Sequence, residues 1–288
     1  MRHVYCIGLF ALVMLAGWAA PSAHAQDAPA DLTELSLEEL LALEVIPVDV
    51  LGTHIHVAGE WMVGYQFSHM RMSAHGEASN EAQSFMMQPT SMRMAMHMVE
   101  VMYGLTDRLT LMAMLPYRQL RMTSRTRDGS ALTTRSKGIG DVQVMGHYAL
   151  YKKQADYLIA KIAVSLPTGS IDARDDTPAG ADQRLPYPMQ LGAGTYGLAA
   201  ELTYIDQVYN WAWGAHATGT FRFGTNAHSY RLGNEYHAGL WITRRLTSWM
   251  APLLHADLHV VRDIVGADPA LNATMTPAAD PDRQGELH

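Results

Sequence analysis

The chain has 288 residues, 48% of them hydrophobic and 17% charged, with 21 basic against 28 acidic side chains and a net charge of −7. That balance excludes a basic nucleic-acid binder, and the apolar share excludes an acidic disordered tail. The single cysteine, Cys6, excludes a disulfide framework or a cysteine metal site in the body of the chain. Methionine is the anomaly, with 19 in all and thirteen between Met62 and Met122.

Arg2 and His3 precede an apolar run from Ile7 to Ala20, followed by Pro21 and the small-residue pattern Ala23-His24-Ala25. Residues 1–25 therefore read as a secretory signal peptide cleaved after Ala25, because the run is shorter than the roughly twenty apolar residues of a membrane anchor. Residues 26–54 form a periplasmic lead-in. There Ser36-Leu37-Glu38-Glu39 has a capping-box pattern, and Leu32, Leu35, Leu37, Leu40 and Leu41 give a short amphipathic helix ending near Pro47. It is expected to lead into or plug a barrel, with docking to a periplasmic partner as the alternative. No later stretch can cross a bilayer as a helix, since charge or glycine interrupts each one, as Lys161 does between Leu158 and Val164.

From His56 onward the period is two. Val57, Gly59, Trp61, Val63, Tyr65 and Phe67 alternate with His56, Glu60, Gln66 and Ser68, and the same split recurs at 92–103, 109–122, 138–151, 157–168, 189–204, 210–223, 230–244 and 248–261. Trp211, Trp213, Phe221 and Phe223 share one face of their strand, opposite His216, Thr218 and Arg222. These nine segments are long enough for the roughly 9–11 residues of a tilted membrane strand.

The connections at 104–108, 152–156, 205–209 and 245–247 are short; those at 73–91, 123–137, 169–188 and 262–288 are long and polar, with 224–229 the short member of that set. Outer-membrane barrels alternate short periplasmic turns with long external loops, and a soluble barrel has no reason to. The expected fold is all-β, a transmembrane antiparallel up-and-down barrel of the outer-membrane type occupying 55–288. Nine strands would leave an unpaired edge, and such barrels have an even number. The sequence is thus expected to lack C-terminal strands of a form with about twelve.

Three segments carry a resemblance: Tyr103-Gly104-Leu105-Thr106-Asp107-Arg108-Leu109-Thr110-Leu111, Gly138-Ile139-Gly140-Asp141-Val142 and Ser165-Leu166-Pro167-Thr168-Gly169-Ser170. They resemble the strand-turn-strand signatures of the outer-membrane transporter family described as "putative MetA-pathway of phenol degradation". The resemblance covers roughly 55–288. It implies a barrel channel whose substrate is poorly defined across the family, and the Met-rich subset that this chain resembles is associated with metal-resistance settings. Asp31 to Val45 also resembles the lead-in before the plug of TonB-dependent receptors. No plug domain follows, so energised uptake is not implied.

The methionines share faces. Met92, Met94, Met96, Met98 and Met102 have the parity of Glu100, which marks that face as the lumen; Met112 and Met114 have the parity of Thr110 and Arg118, and Met62, Met70 and Met72 that of Glu60 and Gln66. The next strand adds Met145 and His147 beside Asp141 and Gln143. A five-residue turn at 104–108 pairs Met98 with Met114 and Glu100 with Met112, to within one two-residue slip. Methionine fills irregular cores adaptably, and thioethers also select Cu(I) and, by the same softness, Ag(I). Directly opposed residues lie about 4.5–5.5 Å apart, so neighbouring strands can bring several sulfurs to one ion, and a ladder of weak sites suits conduction.

Other groups point less clearly. His255 and His259 share a strand face with Asp257 but stand about 13 Å apart along the strand, too far to share an ion without bending. His54, His56, His69, Arg71 and His75 read as surface groups. Asp172, Arg174, Asp175 and Asp176 form a charged external loop, solvated or in contact with calcium or lipopolysaccharide. No serine is paired with a histidine on one strand face, so no enzyme is expected. The functional expectation is passive movement of a small solute or soft metal ion, with no resident cofactor beyond transient Cu(I) or Ag(I), in contact with outer-membrane lipid and lipopolysaccharide. The alternatives are a structural or adhesion barrel and an uptake pore for small hydrophobes such as aromatic compounds.

Overall fold

The computed structural model describes residues 55–73, 85–153, 156–247, 250–272 and 275–281. The expected signal peptide and lead-in helix lie outside them. Alternation of apolar and polar residues builds one large antiparallel sheet from β1 (Trp61–Ser73), β2 (Met87–Thr106), β3 (Leu109–Thr126), β4 (Ala131–Ile139), β5 (Val142–Lys153) and β6 (Asp156–Leu166). After the small hairpin of β7 (Arg174–Thr177) and β8 (Gly180–Arg184), it continues with β9 (Tyr196–Val208) and β10 (Trp211–Phe223). The remaining strands are β11 (Tyr230–Arg231), β12 (Glu235–Arg244), β13 (Leu253–Val261) and β14 (Val265–Gly266). The order is β1-β2-β3-β5-β6-β9-β10-β12-β13, so each strand lies beside its neighbour in the chain, as in an up-and-down barrel. β4 and β5 share one flank of β3, with the break between them at Gly140-Asp141.

The two faces differ as a membrane barrel requires. Trp61 and Val63 are 66% and 72% exposed, and Val99, Leu115, Trp213, Leu240 and Leu254 share that bare apolar face. On the other, Met102 and Thr203 are 1% and 0% exposed. A face this buried under little more than two loop segments is the concave side of a curl. Short turns close one end. At Asp107-Arg108 the hydroxyl of Thr106 accepts from the backbone N–H of Leu109 at 3.0 Å.

At the other end the chain leaves the sheet for longer excursions, and the segment around Tyr187–Met189 folds back onto the inner face. Leu185, Met189 and Leu191 pack with Leu120, Met122 and Ala278, flanked by Met92 and Met94. The hydroxyl of Ser136 donates to the carbonyl of Met189 at 2.6 Å, and the amide of Gln190 donates to that of Leu185 at 2.6 Å. A second cluster of Tyr187, Tyr230 and Ile264 holds the same pad from above.

Several sequence expectations need correction. His56, expected at the surface, is buried, its N–H donating to the Thr110 hydroxyl at 2.8 Å. The segment 123–137 is a β-hairpin rather than a loop, closed at Asp128, whose carboxylate accepts from the Thr126 and Ser130 hydroxyls and the Ser130 N–H and is held down to about 2. The strand expected at 189–204 starts at Tyr196, because Met189 and Leu191 belong to the pad. The strand expected at 230–244 starts at Glu235, because Tyr230 and Arg231 pair with β14. The β2–β3 register takes the two-residue slip allowed for, with Glu100 opposite Met114 and Met98 opposite Pro116, because the ladder slips between Gly104 and Thr106. A two-residue slip preserves which face each side chain takes.

Candidate functional site

The inner face divides into a thioether half and a charged half. Pairing places Met62 opposite Met102, Met102 opposite Met112 and Met112 opposite Met145, one unbroken row across β1, β2, β3 and β5. Met102, Met112, Met145 and Ala163 pack as a buried cluster with Met62, Met114 and Ala199 at its margin. Small alanines continue the row on β6 and β9, so the sulfur-bearing chains have room to lean across. The row brings thioethers, which are soft donors, from four strands to one level.

The other expected methionines stand apart from this row. Met72, Met92 and Met122 form a second row, and Met70 pairs with Met94 and Met94 with Leu120, in both cases at the end covered by the pad. Met70 is 46% exposed. Met96 and Met98 lie between the two rows, opposite Arg118 and Pro116. His147 is fully buried, between Thr110 and Lys161.

The charged half is built on β6, β9, β10, β12 and β13. Lys161 pairs with Glu201 at 2.8 Å, and Glu201 also accepts from the hydroxyls of Thr218 at 2.9 Å and Thr203 at 3.1 Å. Arg222 pairs with Glu235 at 2.6 Å. Asp257 gathers three histidines: His237 Nδ1 at 3.2 Å, His216 Nε2 at 3.5 Å and His255 Nε2 at 3.9 Å. Gly239, between His216 and Asp257 in the same row, makes this possible, since a Cβ there would lie 2.3 Å from Cε1 of His216.

Donor atoms of His216, His237 and Asp257 all lie within 4.8 Å of one another and could hold a divalent cation. The convergence runs across strands rather than along one. Sequence parity already turned His216 inward. What it lacked was the register that sets His216, Gly239 and Asp257 side by side.

The second and third signature segments interlock, while the first packs against the residues before β1. The carboxylate of Asp141 accepts from the N–H groups of Gly169 at 2.9 Å and Ala193 at 2.7 Å, and the Thr168 hydroxyl donates to the carbonyl of Gly140 while accepting from the N–H of Val142. Gly104 lies so close to Val57 that a Cβ would sit 2.0 Å from its carbonyl oxygen, and Asp107 accepts from the N–H of Ala58 at 3.0 Å.

Among solved structures, an outer membrane channel from Pseudomonas putida F1 is similar, with a TM-score of 0.52 and 19% identity over 77% of this chain and 79% of that one. This likeness shows a shared fold. Two mutants of the monoaromatic hydrocarbon channel TodX align at 11% identity with TM-scores of 0.28, over 68% and 70% of this chain and 53% of theirs. No curated protein matches the chain. A family model described as "Putative MetA-pathway of phenol degradation" matches residues 90–254, a span containing all three signatures, most of the methionine row and the Lys161–Glu201 pair. The chain belongs to that family.

Proposed function

We propose that this protein is an exported outer-membrane channel that lets a small solute pass by diffusion, without catalysis. The observation that carries this is the opposition of the two sheet faces. Soluble monomers rarely expose contiguous apolar patches larger than a few hundred Å², yet here the outer side chains from Trp61 on β1 to Leu254 on β13 are bare. Lipid is the solvent that suits them, and the inner face then lines a polar, sulfur-bearing path. The signal peptide read in residues 1–25 would deliver the chain. The test is solute flux into liposomes carrying the full chain, with insertion checked by protease protection. Flux of small solutes is expected; insertion without flux overturns the reading.

The row Met62, Met102, Met112 and Met145 favours a more specific cargo, Cu(I) or Ag(I). Replacing all four by Leu nearly conserves volume and usually costs less than about 1.5 kcal/mol per site, but it removes every soft donor in the row. Cu(I) binding by the purified protein is expected to fall while the melting temperature changes little. Equal binding by parent and variant leaves only an unselective pore.

A further inference from the structure

The outer face carries a feature that neither a pore nor a lipid-facing wall explains. Arg71 pairs with Arg93, Arg93 with Arg121 and Arg121 with Arg135, four arginines side by side on β1, β2, β3 and β4. All four are exposed, and they share the outward parity of Phe67, Val99 and Leu115. Like charges directly opposite on a sheet repel. Among the described residues none of the four guanidinium groups has a carboxylate within salt-bridge reach. Asp175 meets the row at its backbone, where its carboxylate accepts from the N–H of Arg135 at 2.7 Å.

The row also stands at a definite depth. Two outward positions nearer the short-turn end, Phe67, His97 and Tyr117 form an aromatic row, with ring centroids 5.0 Å apart for Phe67–His97 and 6.4 Å for His97–Tyr117. Aromatic residues mark the membrane interface of such barrels, and four residues along a strand tilted by about 40° rise about 10 Å beyond it. That is the headgroup level of the leaflet on the long-excursion side, which in outer-membrane barrels is the external one. Between the arginines, Ser91, Arg93, Arg121, Thr123 and Thr133 line a shallow cavity of about 260 Å³. Guanidinium forks and hydroxyls around such a hollow match the oxygens of a phosphate monoester.

We propose that Arg71, Arg93, Arg121 and Arg135 are a binding ladder for the phosphates of lipopolysaccharide. This rests on the outer-membrane reading, and the bound lipid supplies the anions that the row lacks among the described residues. The test uses the full chain in detergent with diphosphoryl lipid A as the probe. Dephosphorylated lipid A and inorganic phosphate are the comparison arms, and Arg108→Gln at the opposite turn is the control. R93Q/R121Q is expected to lose on the order of a hundredfold in lipid A affinity, while Arg108→Gln binds like the parent. Without lipid A the double variant is expected to melt above the parent, because the repulsion is gone; with it, only the parent gains in melting temperature. Equal affinity of parent and double variant overturns the ladder, as does equal binding of dephosphorylated lipid A. Inorganic phosphate binding as tightly as the lipid overturns the lipid as its ligand. A parent chain absent from outer membranes overturns the location instead, so the two failures are distinguishable.

Discussion

Asp141 shows how one side chain can hold a large part of this architecture. Its two carboxylate oxygens accept from the N–H groups of Gly169 and Ala193, which belong to opposite ends of the excursion between β6 and β9. The approach is too close for any side chain at 192, where a Cβ would lie 2.5 Å from both Asp141 Oδ1 and the carbonyl oxygen of Gly169. Asp141→Ala leaves two buried donors without partners, at about 1–3 kcal/mol each. A lower melting temperature and faster protease cleavage within 169–193 are expected. Asp141→Asn keeps one acceptor oxygen and should fall between the two. The sequence displayed Asp141 only as part of a signature, because its partners lie 28 and 52 residues away.

Among the elements, the lower part of the sheet was legible because an apolar outer face opposite a more polar inner one forces strict alternation. The contrast fades where both faces meet water. Beyond Met122 the run Thr123-Ser124-Arg125-Thr126 is polar at every position, so the extension of β3 and its pairing with β4 could not be told from a loop. The pad was misread for the converse reason: Met189 and Leu191 look like strand residues, yet they face inward on an excursion. The pad also gives a pH dependence. Tyr230 is buried against Tyr187, with ring centroids 4.8 Å apart, and burial pushes its phenol up to about 12; Tyr187 is raised as well, again by burial. A raised acid favours the neutral form in the folded state. The pad's stability is therefore fully present below pH about 10 and is lost as pH rises through about 12. Protease access to 185–191 should increase over that window, and Tyr230→Phe should weaken that increase.

At the scale of the molecule, the fold class followed from period, loop alternation and aromatic outward positions, all local properties. The charged half of the inner face did not follow, because Glu201, His216, His237 and Asp257 meet only through pairings among four strands. Among the described residues β1 and β13 each pair on one side only, and unpaired edges seek other strands. Fractionated cells are expected to hold the protein in outer membranes or in aggregates. Recovery as a soluble, monodisperse periplasmic protein would count against the membrane reading.

The coincidence of sheet order with chain order also sets a path for assembly. Several pairings, such as β2 with β3 and β9 with β10, join strands linked by a tight turn, so those hairpins can form with little loss of chain entropy. The union of β6 with β9 is different, because it must close the excursion 167–195. Each doubling of loop length adds about 0.6 kcal/mol, which amounts to about 2 kcal/mol more than a two-residue turn. The costliest closure thus falls between a first half that carries the methionine row and a second that carries the histidines. Asp141, bridging Gly169 to Ala193, holds the ends of that gap together once it has closed.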